Sequence, residues 1–478
     1  MKRVAGLLLF LSACKVGPDY VPPQVEAPQS FSQSAGADLA EADARWWKSF
    51  SDPVLDELVE AALTRNRDLL AAAQRVREAR AVIDIEGDKN YPTVDGRAGY
   101  VRRKPSTAVA GGQFLPPDPA SVHTVGFDAR WEIDLFGHNA RAIEAVEAGY
   151  GSALEDARGV LQRLVAEVAR NYVELRGVER ELVVLRESLA AQEDAAELVG
   201  TRVDAGIATE LDAARIAGML ATTRSQVPAL ERTRAARVHA LAVLLGEFPA
   251  ECNTRISFDG KLPVAPVGVP IGSPVDLLRR RPDVRRTERE LARAAAMTAG
   301  ATAELYPRLS IGALFGWESQ YIDDMFSNPS RSFSVGPSMT GPIFRRRIIE
   351  AGIEVRTSQQ EQALLAHEQA FVGAMRDVED ALVAVGRTAQ RVVALEEALR
   401  AERRAHELAT ELYEAGLSDY LTVLDVQRSV LAAESELARG RTDRVVASVA
   451  LYKALGGGWE IEAEVPALTQ VGIAPASN

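Results

Sequence analysis

Cysteine is scarce: Cys14 and Cys252 are the only two in 478 residues, enough for one disulfide at most. Five histidines, His123, His138, His239, His367 and His406, are scattered without metal-ligand spacing. No Gly-x-Ser-x-Gly elbow, Walker loop or dinucleotide fingerprint occurs, so the expectation is a non-enzyme with no catalytic residues, no bound metal and no cofactor. Nowhere do about eighteen apolar residues run together, which excludes a transmembrane helix and leaves strands as the only means of crossing a bilayer. Positive charge is in deficit, the formal net charge being -12, which argues against nucleic acid as a partner. What is present, 47% hydrophobic and 26% charged residues, describes a globular chain rather than a disordered one. Its length suits two or more ordinary domains or one large elongated body.

The N-terminus is patterned as a sorting signal. Lys2 and Arg3 make a positive start, Val4 to Leu11 a short apolar core, and Leu11-Ser12-Ala13-Cys14 a small-residue cleavage site. This resembles a bacterial lipobox. The resemblance implies cleavage before Cys14, a diacylglycerol on its thiol and a fatty acyl chain such as palmitate on the new amino group. Several acyl chains on one residue anchor firmly where one would be marginal. Lys15, where an aspartate would retain the protein, resembles the signal for transfer to the outer membrane. Residues 1–13 are therefore expected to be a lipoprotein signal peptide and 14–52 a lipidated linker. With Cys14 lipidated, no disulfide remains possible, and Cys252 is expected to be an inert packed thiol.

The chain repeats itself. ELVGTRVDAGIATELDAAR from Glu197 is answered by ELATELYEAGLSDYLTVLDVQR from Glu407, with Gly206 matching Gly416, Leu211 matching Leu421 and Leu245-Gly246 matching Leu455-Gly456. A period this long signals two large halves rather than a short-repeat solenoid. The first repeat spans 53–246, with a helix, a strand pair over 93–134 and a long helical hairpin whose tip is near 206. The second spans 273–456, with a helix, a strand pair over 308–343 and a hairpin tip near 416. Residues 247–272 connect them and 457–478 form a tail. Asp52 and Pro53 are suited to open the first helix, which continues to about Gly87. Its counterpart runs from Ser273-Pro274 to about Gly300.

Tyr91-Pro92 and Tyr306-Pro307 end these helices, and there the periodicity changes from helical to alternating. Val125, Phe127, Ala129, Trp131 and Ile133 define one face of a strand, and Leu309, Ile311, Ala313, Phe315 and Trp317 that of another. Weaker alternation runs over 94–101 and 333–343. Soluble hairpins share this pattern, but long turn-rich loops from Pro105 and Glu318 and a membrane-directing N-terminus favour outer-membrane strands, with Tyr100, Trp131 and Trp317 in the interfacial aromatic belts. Four strands cannot close a barrel, so a spanning chain must oligomerise. Two chains would supply eight strands and three would supply twelve; the pattern alone does not select.

Helical periodicity resumes from Gly137 to the Ala205-Gly206 turn and returns from Thr209 to Leu245, with Pro228 inside it. The second hairpin goes out from Phe344 to Ala415-Gly416 and returns from Ser418 to Leu455. The turn glycines suit left-handed caps, and Thr209 and Ser418 are positioned to cap the returning helices. Leu417, Leu421, Leu424 and Leu431 follow a coiled-coil spacing.

CKVGPDYVPP from Cys14, WWKSFSDPVLDELV from Trp46, WEIDLFG from Trp131, RVDAGIATELDAAR from Arg202, YEAGLSDYLTVLDVQR from Tyr413 and ALGGGW from Ala454 occur in one order over nearly the whole mature chain. In these motifs the sequence resembles the TolC-type outer-membrane efflux factors, specifically the NodT-like lipoprotein branch that serves RND pumps. The resemblance implies a mainly α fold with transmembrane β: a homotrimer whose twelve-stranded β-barrel, four strands per chain, sits in outer-membrane lipid and continues as a long periplasmic α-helical barrel. It places 247–272 and 457–478 in an equatorial region. The function implied is passive, gated export of small molecules or drugs within a tripartite system. The tips, Asp204, Ala205, Gly206 and Thr209 with Ala415, Gly416, Ser418 and Asp419, would meet a periplasmic adaptor (membrane fusion protein) that serves an inner-membrane RND pump. Leu421 and Asp425 match the family's pore gate, with Tyr413 and Arg428 in neighbouring positions that tie helices together. Taken alone, Asp425 reads as a surface aspartate and Leu421 as a core residue. Three carboxylates near an axis would repel one another and favour cations. Two other readings stand beside this one: a periplasmic coiled-coil lipoprotein scaffold without a pore, and a type I protein-secretion duct. Alternating strands with aromatic ends distinguish a channel from a scaffold, which has no use for them.

Overall fold

The computed structural model describes residues 15–24, 28–32, 43–104, 106, 108, 119–266, 268–462 and 465–469. The signal stretch, Cys14, most of the loop from Pro105 and the end of the tail lie outside the described residues. The chain is mostly helical with one small sheet. In order come α1 (Pro53–Arg65), α2 (Arg67–Asp88), β1 (Thr93–Arg103), β2 (Ala120–Ile133), α3 (His138–Asp204), α4 (Glu210–Leu245) and α5 (Pro249–Arg255). There follow α6 (Asp276–Arg280), α7 (Pro282–Ala303), β3 (Arg308–Ser319), β4 (Arg331–Thr340), α8 (Arg346–Glu414), α9 (Tyr420–Ala454) and α10 (Pro466–Thr469). Among the described residues no helix is long and apolar enough to cross a membrane.

Two compact units emerge. The first takes Arg77–Ser152, Thr287–His367 and the described part of Met1–Gln24, and contains the sheet. Its strands pair antiparallel in the order β1-β2-β3-β4. Register, set residue by residue by these ladders, sorts the side chains. Val94, Ala129, Ala313 and Val335 form one row, and Gly96, Phe127, Phe315 and Phe333 the next. Trp131, Ile311 and Pro337 continue the same face. The other face carries Asp95, Asp128, Leu314 and Ser334 in one row and Thr93, Arg130, Gly312 and Gly336 in another. So all four strands present one apolar and one largely polar surface, and most of the apolar side chains are exposed or half-exposed on the single chain. Trp317 pairs with Val125, six residues along β2 from Trp131; at about 3.4 Å per residue the two indoles stand about 20 Å apart along the strands. Trp131 donates its indole N–H to the Asn90 carbonyl. The segment between β3 and β4 folds into two 3-10 turns, tied where the Ser330 hydroxyl donates to the Asp324 carbonyl at 2.7 Å.

The second unit takes Val25–Val76, Ala153–Arg286 and Glu368–Asn478 in its described parts. Asp52 caps α1 by accepting from Val54 N and Leu55 N, with Pro53 at the first helical position, as expected. The single helix expected from 53 to about 87 is in fact two. Asn66 adopts an extended backbone, ψ 127°, and caps α2 by accepting from Leu69 N, while its amide donates to the Leu244 carbonyl near the end of α4. The counterpart break is at Arg281, ψ 116°, between α6 and α7. Its guanidinium donates to the Ala454 carbonyl at the end of α9 and to Asp283 and Asp377. Both breaks therefore satisfy carbonyls that the returning helix leaves open. Gly246 (φ 66°) and Gly456 (φ 85°) seat against them: a Cβ on Gly246 would approach the Arg65 carbonyl oxygen, and one on Gly456 would lie 3.0 Å from the Arg280 carbonyl carbon. α4 passes through Pro228 without interruption.

Around this frame the core is aromatic. Trp46 stacks on Tyr452 at 5.1 Å, with Trp47 and Phe50 edge-on to Trp46. The guanidiniums of Arg158 and Arg285, which share Glu155, both pack on Trp459, 4.8 and 5.1 Å from its ring centroid. Buried Glu179 on α3 accepts from Arg176, Arg234 and the Gly260 amide, joining α3, α4 and the connection after α5. Cys252 on α5 is fully buried, and burial pushes its thiol up to about 11, which suits an unreactive packed side chain.

Two measurements test this frame. Gly246→Ala meets both the left-handed backbone and the Arg65 carbonyl, so it should cost roughly 2–3 kcal/mol, whereas Gly206→Ala, with open space around its Cβ position, should cost about 1. Thermal unfolding in detergent should rank them in that order; equal midpoints would remove the packing role. Burial penalises the Asp283 carboxylate, but the Arg281 hydrogen bonds and charge outweigh it and hold the carboxyl below its usual range. A depressed pKa contributes stability above the unfolded value and loses it as pH falls through the folded one. Asp283→Asn should therefore cost about 1 kcal/mol at neutral pH, discounted because the carboxylate is 45% exposed, and the difference from wild type should shrink as pH falls below the ordinary carboxylate range.

Candidate functional site

The helix lengths bring the two hairpin ends together. Each outgoing helix ends in the same motif: Gly206 N donates to Val203 O and Ile207 N to Arg202 O, and Gly416 N donates to Tyr413 O and Leu417 N to Leu412 O. Gly206 (φ 73°) and Gly416 (φ 72°) supply the left-handed residue this motif needs. Thr209 then opens α4 with a full capping box shared with Asp212. The second hairpin differs from expectation. Asp419 caps α9, accepting from the backbone N–H and hydroxyl of Thr422, which hold its carboxyl below the usual range. The Ser418 hydroxyl only donates to the Asp419 carbonyl, at 3.3 Å. A carboxylate outcompetes a hydroxyl as acceptor at a helix N-terminus because the aligned peptide dipoles favour negative charge.

Just behind the tips a small apolar core joins all four helices: Val199, Ile216, Met219, Ala409, Tyr420, Val423 and Leu424. Arg202 crosses between the hairpins, donating to the Tyr413 hydroxyl at 2.6 Å with its guanidinium 5.0 Å from the ring. The Tyr413 ring in turn lies 5.0 Å from Tyr420. Farther along, Arg439 on α9 reaches Glu181 on α3.

Leu421, Asp425 and Arg428 share the face of α9 turned away from this core, at spacings of four and seven residues. Leu421 is half-buried, Asp425 61% exposed and Arg428 58% exposed. Asp425 and Arg428 approach to 3.7 Å, an exposed pair that contributes little to stability. Leu417 is not part of the coiled-coil seam that its spacing suggested, since it lies in the turn with Leu424 alone of the set fully buried. The turn places it outside instead: Leu417 is 76% exposed and its counterpart Ile207 75%. Both lie within the expected tips, 204–209 and 414–419, though neither was singled out as a docking residue, and the Arg202 partner was missed. The tips were detectable as the residue after each repeated glycine; Arg202 was not, because nothing local ties it to Tyr413. Among the described residues no group of three or more His, Cys, Asp or Glu is arranged to hold a metal.

At the other end of the chain, Lys15 packs against Gly137 just beyond β2. Buried Arg141 donates to the Val16 and Gly17 carbonyls and pairs with Asp19 and Glu144, and Lys15 pairs with Glu144 at 2.6 Å. Cys14 itself lies outside the described residues.

Tyr413→Phe removes the acceptor of the Arg202 bond, a loss of about 1 kcal/mol local to the tips. Amide hydrogen exchange should accelerate at residues 199–216 and 409–424 and stay unchanged in the sheet; unchanged exchange at the tips would show that the bond does not hold the hairpins together.

Comparisons with known proteins agree with this architecture. The family model for the outer membrane efflux protein matches residues 58–247 and 274–457. The outer membrane protein OprJ of Pseudomonas aeruginosa is 33% identical over 463 residues, 96% of each chain. The solvent efflux pump outer membrane protein SrpC of Pseudomonas putida is 31% identical over 463 residues, 95% of this chain and 97% of that one. The solved structure of the outer-membrane channel OprN superposes with a TM-score of 0.87 at 33% identity, covering 93% of this chain and all of OprN.

Proposed function

The chain belongs to the outer membrane efflux protein family, and we propose that three copies form one gated duct through the outer membrane. It is an outer-membrane efflux channel of the kind that serves tripartite RND systems, in a family of transporters rather than catalysts. The observation that carries the oligomeric, barrel-forming reading is the sheet register, and three is the number of chains that the likeness to the family's outer-membrane channels favours. Four strands with one apolar face and two unpaired edges, at β1 and β4, are intolerable in lipid as a monomer. Joining β4 of each chain to β1 of the next closes twelve strands and removes every edge. The apolar face then meets lipid, and the spacing of Trp131 from Trp317 fits an apolar band about 25 Å tall with aromatic girdles.

The paired hairpins extend into the periplasm as a helical tube. Their tips, Asp204, Ala205, Gly206 and Thr209 with Ala415, Gly416, Ser418 and Asp419, face the adaptor, with Ile207 and Leu417 as its apolar anchors. The adaptor links the duct to an inner-membrane pump, which supplies the energy. Leu421 and Asp425 project from α9 on a face that its own chain leaves open, and threefold repetition turns them into rings that narrow the pore. Arg202 and Tyr413 hold the second hairpin to the first in this closed arrangement, while Arg428 screens Asp425. Cys14 carries the lipid. Its neighbour Lys15 is held at the periplasmic end of β2, so the acyl chains enter the leaflet beside the barrel base. The cargo is small molecules, including drugs or solvents.

Planar-bilayer conductance with oligomeric mass in the same detergent tests the reading. The wild type should be a trimer giving rare, cation-preferring openings. Leu421→Ala with Asp425→Asn should open at least about tenfold more often with weakened cation preference, as expected when a ring of carboxylates is neutralised. A monomer silent even with both residues replaced would leave only the scaffold reading.

A further inference from the structure

A groove of about 930 Å³ runs along the second unit between α3, the connection at residues 260–265, and α8 and α9. Its floor is apolar: Val392, Leu399 and Leu437 form a buried cluster there, and Val264 stands exposed on its lip. Its walls are net cationic, five basic side chains against three carboxylates, of which Glu187 on α3 stands without a salt bridge among the described residues. Two of the guanidiniums are already neutralised, Arg403 by Glu434 at 2.6 Å and Arg441 by Glu396 at 2.7 Å. Arg180 on α3 and Arg444 on α9 line the same groove and, among the described residues, neither forms an ion pair or side-chain hydrogen bond. Arg444 only adds to the field at Glu396. An apolar trough with two uncommitted guanidiniums on its wall is the reverse of a self-satisfied surface, since a guanidinium fork is matched by a carboxylate, sulfate or phosphate.

We propose that this groove binds a free single-chain anionic amphiphile, a fatty-acid-like molecule with its head on Arg180 and Arg444 and its aliphatic body over Val392, Leu399 and Leu437. The volume lies within the range of small-molecule sites, and an apolar lining with a few placed polar groups is their usual makeup. Residues from both hairpins line it, α3 from the first and α8 and α9 from the second, so an occupant bridges them. None of the proposed gate residues, Leu421, Asp425, Tyr413 and Arg428, lines the groove.

The test uses the full-length protein in phosphatidylcholine nanodiscs with a diazirine-tagged dodecanoate, the crosslinked peptides being mapped by mass spectrometry. Label should concentrate at residues 260–265 and 392–403. The matching diazirine dodecanol should label these about tenfold less, as should dodecanoate with Arg180→Ala/Arg444→Ala, the loss expected when a charge-assisted hydrogen bond is removed. Arg180→Lys/Arg444→Lys, which keeps both charges, should retain most of the labelling and guards against a folding defect in the alanine variant. Equal labelling by acid and alcohol, label confined to the strands, or displacement by phosphatidylglycerol rather than by unlabelled dodecanoate would each overturn the proposal.

Discussion

The end of a long helix leaves carbonyls without partners, and the way this chain meets that constraint organises the second unit. α4 and α9 each run back some 35 residues and stop against a break in an earlier helix of the same repeat, where Asn66 or Arg281 donates to the exposed carbonyl. A glycine follows each helix and lets the chain turn tightly against that break. One half does this with an amide and the other with a guanidinium held by Asp283 and Asp377. The duplicated halves therefore preserve the contact while changing its chemistry, which is what is expected if the unsatisfied carbonyl, rather than a particular side chain, is the thing under constraint.

A second constraint acts on the sheet. Register leaves no freedom in which side chains share a face, and here it collects the apolar residues of all four strands on one side. The same register leaves charged residues such as Asp95, Arg97, Asp128 and Arg130 on the opposite side, with Arg97 3.5 Å from Asp128 to offset the like-charged Asp95 beside it. A soluble sheet would cover the apolar face with helices. In the proposed trimer lipid covers it, and the edges at β1 and β4 become the junctions between chains. In that proposal a water-filled lumen and a lipid exterior both follow from one alternation read in one register.

At the tips, repetition and divergence separate. Glycine caps and the exposed Ile207 and Leu417 occur in both hairpins, in keeping with a shared docking role. Arg202, Tyr413, Asp425 and Arg428 are found once each, in keeping with a gate carried by the second hairpin and latched to the first. The proposed amphiphile groove is lined by residues of those same two hairpins.

The sequence by itself determined the element types, the long period of the duplication, the alternating strands and the tip glycines, because each is written in local spacing or in self-similarity. Its local reading erred where two local signals competed. It missed the break at Asn66, since helix-forming residues flank it on both sides, and it chose Ser418 over Asp419 as a cap. Only the tertiary structure decided that Asn66 and Arg281 serve returning helices, that Arg202 meets Tyr413, and that Arg180 and Arg444 share one groove. The physical reason is separation: these partners lie from 173 to 264 positions apart, and no periodicity within a segment encodes a contact made only when distant helices pack side by side.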